Sequence, residues 1–258
     1  MKKNLKLKSL LVFSASLLAY AAAAQNSIFT DRPNVTDAVA LLPTGTFQVE
    51  LGYFRESSND GDLVNRTSPN VNIKYGLTEW IELRVLTNYL NSNADTPAGE
   101  IEASGLTPIA ISPKVRLLKT ESWLTNVSLS TNFILPSTGA EAFQNDHLNV
   151  GYRLLLENNF GSLNWSHGIG TDWDDDTDAS WSYSSALGTS FAQDWGTFIE
   201  IYGTFGNGIL PTHGANAGIL YLLTTDIQLD ASFGIGLNDN TPDFFASFGF
   251  AWRTSFIQ

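Results

Sequence analysis

The sequence predicts an all-β protein, a transmembrane up-and-down antiparallel β-barrel of about 12 strands. Three observations carry this expectation. Segments with alternating side-chain character recur along nearly the whole chain, no segment after the N-terminus is apolar enough to cross a membrane as a helix, and short links alternate with long ones.

The N-terminus sets the compartment. Lys2, Lys3, Lys6 and Lys8 precede an apolar run from Leu10 to Ala24, and Ala22, Ala23 and Ala24 offer small residues for cleavage before Gln25. This is the layout of a secretory signal, so residues 1–24 are expected to be a signal peptide. Residues 25–43 form an N-terminal segment that either enters the barrel lumen or stays in the periplasm, and residues 44–258 form the barrel. The chain has no Cys, so its stability rests on packing and backbone hydrogen bonds.

Strands are expected at about 44–55, 67–77, 80–91, 107–118, 123–135, 147–157, 162–172, 179–192, 195–206, 213–224, 226–237 and 243–256. They are longer than the ~5 to 6 residues usual in soluble sheets and match a tilted membrane strand. In the last of them, Phe244, Phe248, Phe250, Trp252 and Phe256 share one face, while Ser247, Gly249, Ala251, Arg253 and Ser255 share the other. Leu148, Val150, Tyr152, Leu154 and Leu156 likewise oppose Asn149, Gly151, Arg153, Leu155 and Glu157. A secreted β-sandwich or lipocalin-like barrel alternates too, so periodicity alone leaves both readings open.

Connection lengths separate them. The tight links "GLTEW", "KTES", "NNFG", "AQDW" and "TTD" follow even-numbered strands, whereas "ESSNDGDLVNRT", "NSNADTPAGEIEASG" and "PSTGAEAFQND" follow odd-numbered ones. Short periplasmic turns and long outer loops produce that parity. Trp80, Trp123, Trp165, Trp195 and Trp252 fall near strand ends, where an indole ring suits a membrane interface. The expected location is therefore the outer membrane of a Gram-negative bacterium, with outer-membrane lipid and the barrel-assembly machinery as partners.

Several stretches resemble the family of outer-membrane proteins named for the meta-cleavage pathway of phenol degradation, which includes a functional-amyloid secretion pore. They are "TDRPNVTDAVALLPTGTFQVELGY" (30–53), "YGLTEWIELRV" (75–85), "SPKVRLL" (112–118), "LPSTG" (135–139), "AGILYLLTTDIQLDASFGIGLN" (217–238) and "FGFAWR" (248–253). The resemblance implies a 12-stranded transport barrel for cargo ranging from aromatic compounds to exported polypeptide. One departure is Thr107 and Pro108, where the family usually has a Gly-Asp pair entering the fourth strand.

Charge and motifs narrow the function. The chain carries 14 Lys and Arg against 26 Asp and Glu, so nucleic acid is not an expected partner. Alternation directs Glu50, Lys74, Glu82, Arg84, Lys114, Arg116, Arg153, Glu157, Glu200, Asp230 and Arg253 toward the lumen, where they are expected to line the pore and pair across it as a constriction. The outer loops collect most of the acid. In "DWDDDTD", Asp172, Asp174 and Asp176 have the spacing of calcium-loop ligands, but Thr177 stands where Gly is needed and Tyr183 where the bidentate Glu belongs. No metal site or cofactor is expected. His147, His167 and His213 raise a hydrolase reading, yet Ser166 and His167 point to opposite faces and no G-x-S-x-G elbow occurs, so no catalytic residue is assigned. The expectation is a channel passing small solutes, aromatic or cationic ones among them, or exported polypeptide. A structural or adhesive barrel without transport is the alternative.

Overall fold

The computed structural model describes residues 27–58, 63–96, 99–120, 125–173 and 179–255. The signal-peptide region 1–24, Trp123, the cluster from Asp174 to Asp178 and Phe256 lie outside the described residues. The strands are β1 (Thr46–Ser58), β2 (Leu63–Gly76), β3 (Ile81–Thr96), β4 (Gly99–Leu106), β5 (Ala110–Leu118), β6 (Asn126–Ile134), β7 (Asn149–Phe160), β8 (Leu163–Trp173), β9 (Ser180–Ser190), β10 (Trp195–Gly206), β11 (Ile209–Thr224), β12 (Ile227–Gly236) and β13 (Phe244–Ser255). All pairings are antiparallel, β1 with β13 and β2 with β3 among them, so the sheet closes on itself. Twelve strands form the ring, and β4 is an extra one hanging from β3.

The extra strand corrects the expected loop at 91–105, which is instead a hairpin continuing β3 outward into β4. The expected fourth strand at 107–118 is broken at its start. Pro108 has no N–H to give to a ladder, so β4 and β5 are separate strands against one neighbour. Thr107 repairs the gap: its N–H donates to Asn88 O at 2.8 Å and its Oγ1 accepts the Asn88 N–H at 3.0 Å. At the same end of the barrel, β10 turns into β11 through Asn207 and Gly208, a tight hairpin where the sequence suggested a longer link. Gly208 takes φ 77°, a conformation that a side chain disfavours.

The outward face is apolar. Phe248, Phe250 and Trp252 of β13 are exposed, as are Ile199 and Ile201 of β10 and Phe233 and Ile235 of β12. Trp80, Trp165, Trp195 and Trp252 ring the end that carries the turns after Gly76, Phe160, Ser190 and Thr224, while Trp173 and Trp181 stand near the opposite end. At ~3.3 Å per residue and a ~40° tilt, Trp165 and Trp173 are separated by ~20 Å along the axis, about the height of a lipid-facing band. A surface of this kind is stable in hydrocarbon, where a closed ring of strands pairs its backbone groups internally. A hollow of about 510 Å³ between Ile199, Ile201, Phe233 and Ile235 opens on this outward face, away from the lumen.

Inside, polarity is reversed. The buried wall side chains include Gln48, Glu50, Lys74, Glu82, Arg84, Lys114, Ser128, Ser130, Glu200 and Asp230. They are buried by the chain's own N-terminal stretch, which supplies the apolar Ile28, Val39, Leu41 and Leu42 to the interior.

Candidate functional site: the filled lumen

Residues 27–45 form a loop that rises into the barrel from one rim and returns to it. At its start the Ile28 N–H donates to Thr225 O at 2.7 Å and Arg253 Nη1 to Ser27 O at 3.2 Å. At its end the Gly45 N–H donates to Gly76 O at 2.8 Å, so both ends are tied to the rim that carries the short turns. Val35, which is 49% exposed, stands at the apex.

The loop is held by charge and hydrogen bonding as well as by the packing of Ile28, Val39, Leu41 and Leu42. Asp31 is its centre. Its carboxylate lies 2.6 Å from Lys74 Nζ, 3.2 Å from Lys114 Nζ and 3.3 Å from Arg84 Nη1, and it accepts from Asn72 Nδ2 and the Ala38 N–H. Burial alone pushes the Asp31 carboxyl up, but Lys114, Lys74 and Arg84 together hold it well below its ordinary value. Arg84 also reaches Asp37 at 3.0 Å and the hydroxyls of Ser112 and Ser130. The cations have wall partners as well: Lys74 lies 2.5 Å from Glu50, and Lys114 lies 3.7 Å from Glu82.

Three wall carboxylates receive the loop's backbone. Glu50 accepts the N–H groups of Asp31 and Arg32, each at 3.2 Å. Glu82 accepts that of Leu42 at 2.8 Å. Glu200 accepts those of Val35 and Thr36 at 2.8 and 2.6 Å, together with the Thr36 hydroxyl and Asn216 Nδ2. An irregular chain has no ladder of its own, so inside a barrel its donors must be met by side chains. Ser128 and Gln48 do the same for its carbonyls, donating to Val39 O and Phe29 O.

The residues expected to line a pore thus divide. Glu50, Lys74, Glu82, Arg84 and Lys114 surround Asp31, Glu200 holds the apex, and Asp230 pairs with Arg32 at 3.2 Å. Arg116 instead donates to Glu79 O at a turn, Glu157 accepts from Asn159, and Arg253 pairs with Asp226 at the rim. Arg153 lies farther out and binds Asp172 at 3.0 Å. Pairs within the expected set are present at Lys74 with Glu50 and Lys114 with Glu82. The lumen is occupied by the loop, which adds Asp31, Arg32 and Asp37 to the charge set.

Sequence reasoning passed over a set of inward rings. Phe198, Tyr202 and Phe245 lie flat against Gly218, Gly214 and Gly234 of the next strand, positions where a Cβ would collide with the ring. The signal was present as a glycine opposite an aromatic in register, as at Gly214 and Tyr202. Above the loop is a cavity of about 250 Å³, bounded by Val35, Asp37, Arg84, Leu86, Arg153, Leu155 and Tyr202. Tyr183 and Gly203 also border this cavity, and His213 stands beside them. Its Nδ1 bonds the Tyr183 hydroxyl at 3.0 Å over Gly203, and His167 packs beside Trp165.

Among solved structures, the chain is similar to the COG4313 outer membrane channel from Pseudomonas putida F1, with TM-score 0.69 and 15% identity over 86% of this chain and 99% of that one. It is also similar to the KdgM porin in complex with disordered oligogalacturonate, with TM-score 0.54 and 10% identity over 79% and 98%. The CymD monoaromatic hydrocarbon channel matches with TM-score 0.50 and 10% identity over 84% and 90%. At such identities the likeness is one of fold. No protein of curated function matches the sequence. Residues 30–254, which include the whole Asp31 cluster and nearly all of the barrel, match the profile of one family, and the chain belongs to that family, described as "Putative MetA-pathway of phenol degradation".

Proposed function

We propose that the protein is an outer-membrane channel for small solutes, closed at rest by residues 27–45. The observation that carries this reading is how the loop is held: beside the buried Ile28, Val39, Leu41 and Leu42 it makes ion pairs and hydrogen bonds to Glu50, Lys74, Glu82, Arg84, Lys114 and Glu200, which water can replace when the loop leaves. A permanently filled barrel gains more from apolar packing. The 250 Å³ cavity above Val35 is the vestibule in which a solute waits. Its Leu86, Leu155 and Tyr202 suit an apolar or aromatic body, and its Arg84, Arg153 and Asp37 suit a polar end.

In this reading residues 1–24 direct export, the barrel-assembly machinery inserts the strands, and the Trp rings seat them in lipid. No side chain acts as a catalyst. Conductance in planar bilayers tests the proposal. The wild type should show rare openings, and a chain lacking residues 28–42 should stay open. A barrel that conducts in neither form is the structural or adhesive barrel instead. The purified protein should also migrate faster unheated than boiled in a detergent gel, as a closed barrel does; equal mobility speaks for a secreted sandwich.

A further inference from the structure

Arg32 reaches the wall at a place shaped for it. In the sheet register Asn70 of β2 faces Gly52 of β1, Gly52 faces Gly249 of β13, and Gly249 faces Asp230 of β12. Two glycines side by side leave a notch in the inner wall, with a polar side chain at each end. The Arg32 guanidinium fills it, and a Cβ on either glycine would overlap its atoms. Nη1 donates to Asn70 Oδ1 at 3.2 Å. Nη2 donates to Asp230 Oδ1 at 3.2 Å, Ser247 Oγ at 2.7 Å and Phe248 O at 3.1 Å. The Asp230 side chain is sealed from solvent, and its Oδ2 meets no donor among the described residues. That carboxylate therefore has room for a second N–H, which a guanidinium free of the loop's tether can supply in the two-bond geometry.

We propose that Asn70, Gly52, Gly249 and Asp230 form a guanidinium receptor built into the barrel wall. It is occupied by Arg32 while the loop is docked and opens to guanidinium-bearing solutes of the arginine class when the loop has left. The proposal rests on the channel reading above for its second half. An ammonium cannot substitute well, because the donors must diverge in one plane toward Asn70 on one side and Asp230 on the other. Arg32 is then both a latch and an internal competitor for such solutes.

Arg32→Ala empties the receptor, and ethylguanidinium replaces the atoms removed. Calorimetric titration should show one ethylguanidinium bound per Arg32→Ala barrel, with affinity at least about tenfold above that of wild type, and loss of binding on adding Asp230→Asn or Gly249→Ala. Ethylurea, similar in shape but neutral, should not bind. In bilayers Arg32→Ala should open more often, and ethylguanidinium should restore closure. Absence of binding, equal binding of ethylurea, or binding that survives Gly249→Ala overturns the receptor even if the barrel conducts. Binding as expected in a barrel that never conducts upholds the receptor and sinks the channel reading. Heat-shifted gel mobility of each variant confirms that the barrel has folded before the titration is read.

Discussion

Asp31 and Lys74 meet at 2.6 Å inside the barrel, one from the loop and one from the wall, with side chains 8% and 1% exposed. Lys114 and Arg84 share the same carboxylate. Removing its charge leaves three buried cations with too few partners, a loss of about 3 to 5 kcal/mol when one side of a buried pair is deleted. Asp31→Asn is therefore expected to raise the open fraction by about 10² to several times 10³. Asp37 is 27% exposed on its side chain and, among the described residues, pairs with Arg84 alone, so Asp37→Asn should change the open fraction by about fivefold or less. Single-channel dwell times measure both, and equal effects of the two substitutions would contradict the central place given to Asp31.

The pH response follows from the same cluster. The Asp31 carboxyl is held well below its ordinary value of 3.8 by Lys114, Lys74 and Arg84. Its contribution to docking is complete above that ordinary value and disappears as pH falls through the lowered one. The closed fraction of wild type should thus be flat from about pH 8 to 5, with acid opening only below about pH 4. Asp31→Asn should lose that acid transition. A wild-type transition near neutral pH would place control on another group.

The apex gives a test independent of current. Val35 is exposed to the outer cavity, whereas Leu42 is 1% exposed and lies near the opposite rim. A cysteine at Val35 should react with a small impermeant thiol reagent added to intact cells, and one at Leu42 should not. Glu200→Gln keeps the shape but weakens acceptance from the Val35 and Thr36 N–H groups. It should raise the rate of labelling at Leu42 by about tenfold, the effect of losing roughly one charge-assisted bond. Labelling of Leu42 at the Val35 rate in wild type would mean that the loop does not occupy the lumen.

Much of the wall was legible in the sequence because each strand repeats one local rule. Phe248, Phe250 and Trp252 against Ser247, Gly249 and Ala251 show two faces without any knowledge of neighbours. The charged residues on the inner face were legible by the same rule. Their partners were not. Nothing local tells Lys74 that Asp31 rather than another wall carboxylate will come within 2.6 Å, because that contact depends on a loop whose own sequence has no period. β4 was hidden for a different reason. "GEIEASGL" is short, acidic and ends beside Thr107 and Pro108, so it reads as loop, and only the pairing of Tyr89 with Leu106 and of Asn93 with Glu102 makes it a strand.

That hairpin bears on ion preference. Asp95, Glu100 and Glu102 stand on it, and Asn93 Nδ2 donates to the last two. Glu141, Asp239 and Asp243 lie in links at the same end, and Asp172 lies just inside. Arg55 and Arg66, opposite one another on β1 and β2, are cations at this end, Arg66 donating to Asn91 and Asn93, and Arg153 is paired with Asp172. The outer mouth is therefore acidic, while the charges around Asp31 are mutually compensated. An open barrel should favour cations through the field at its mouth and set its size limit at the wall charges Glu50, Lys74, Glu82, Arg84 and Lys114. Replacing Glu100, Glu102 and Glu141 with Gln should lower the cation-to-anion permeability ratio by about a factor of two at low salt. The difference should fade near 1 M, where the Debye length is ~3 Å. Neutralising Arg84 should alter conductance far more than that ratio, because Arg84 stands deep in the lumen and away from the mouth. Reversal potentials in a salt gradient, measured on the chain lacking residues 28–42 so that the pore is open, decide the matter; anion preference there, or a ratio unmoved by the three Gln substitutions, would refute the acidic mouth as the selector.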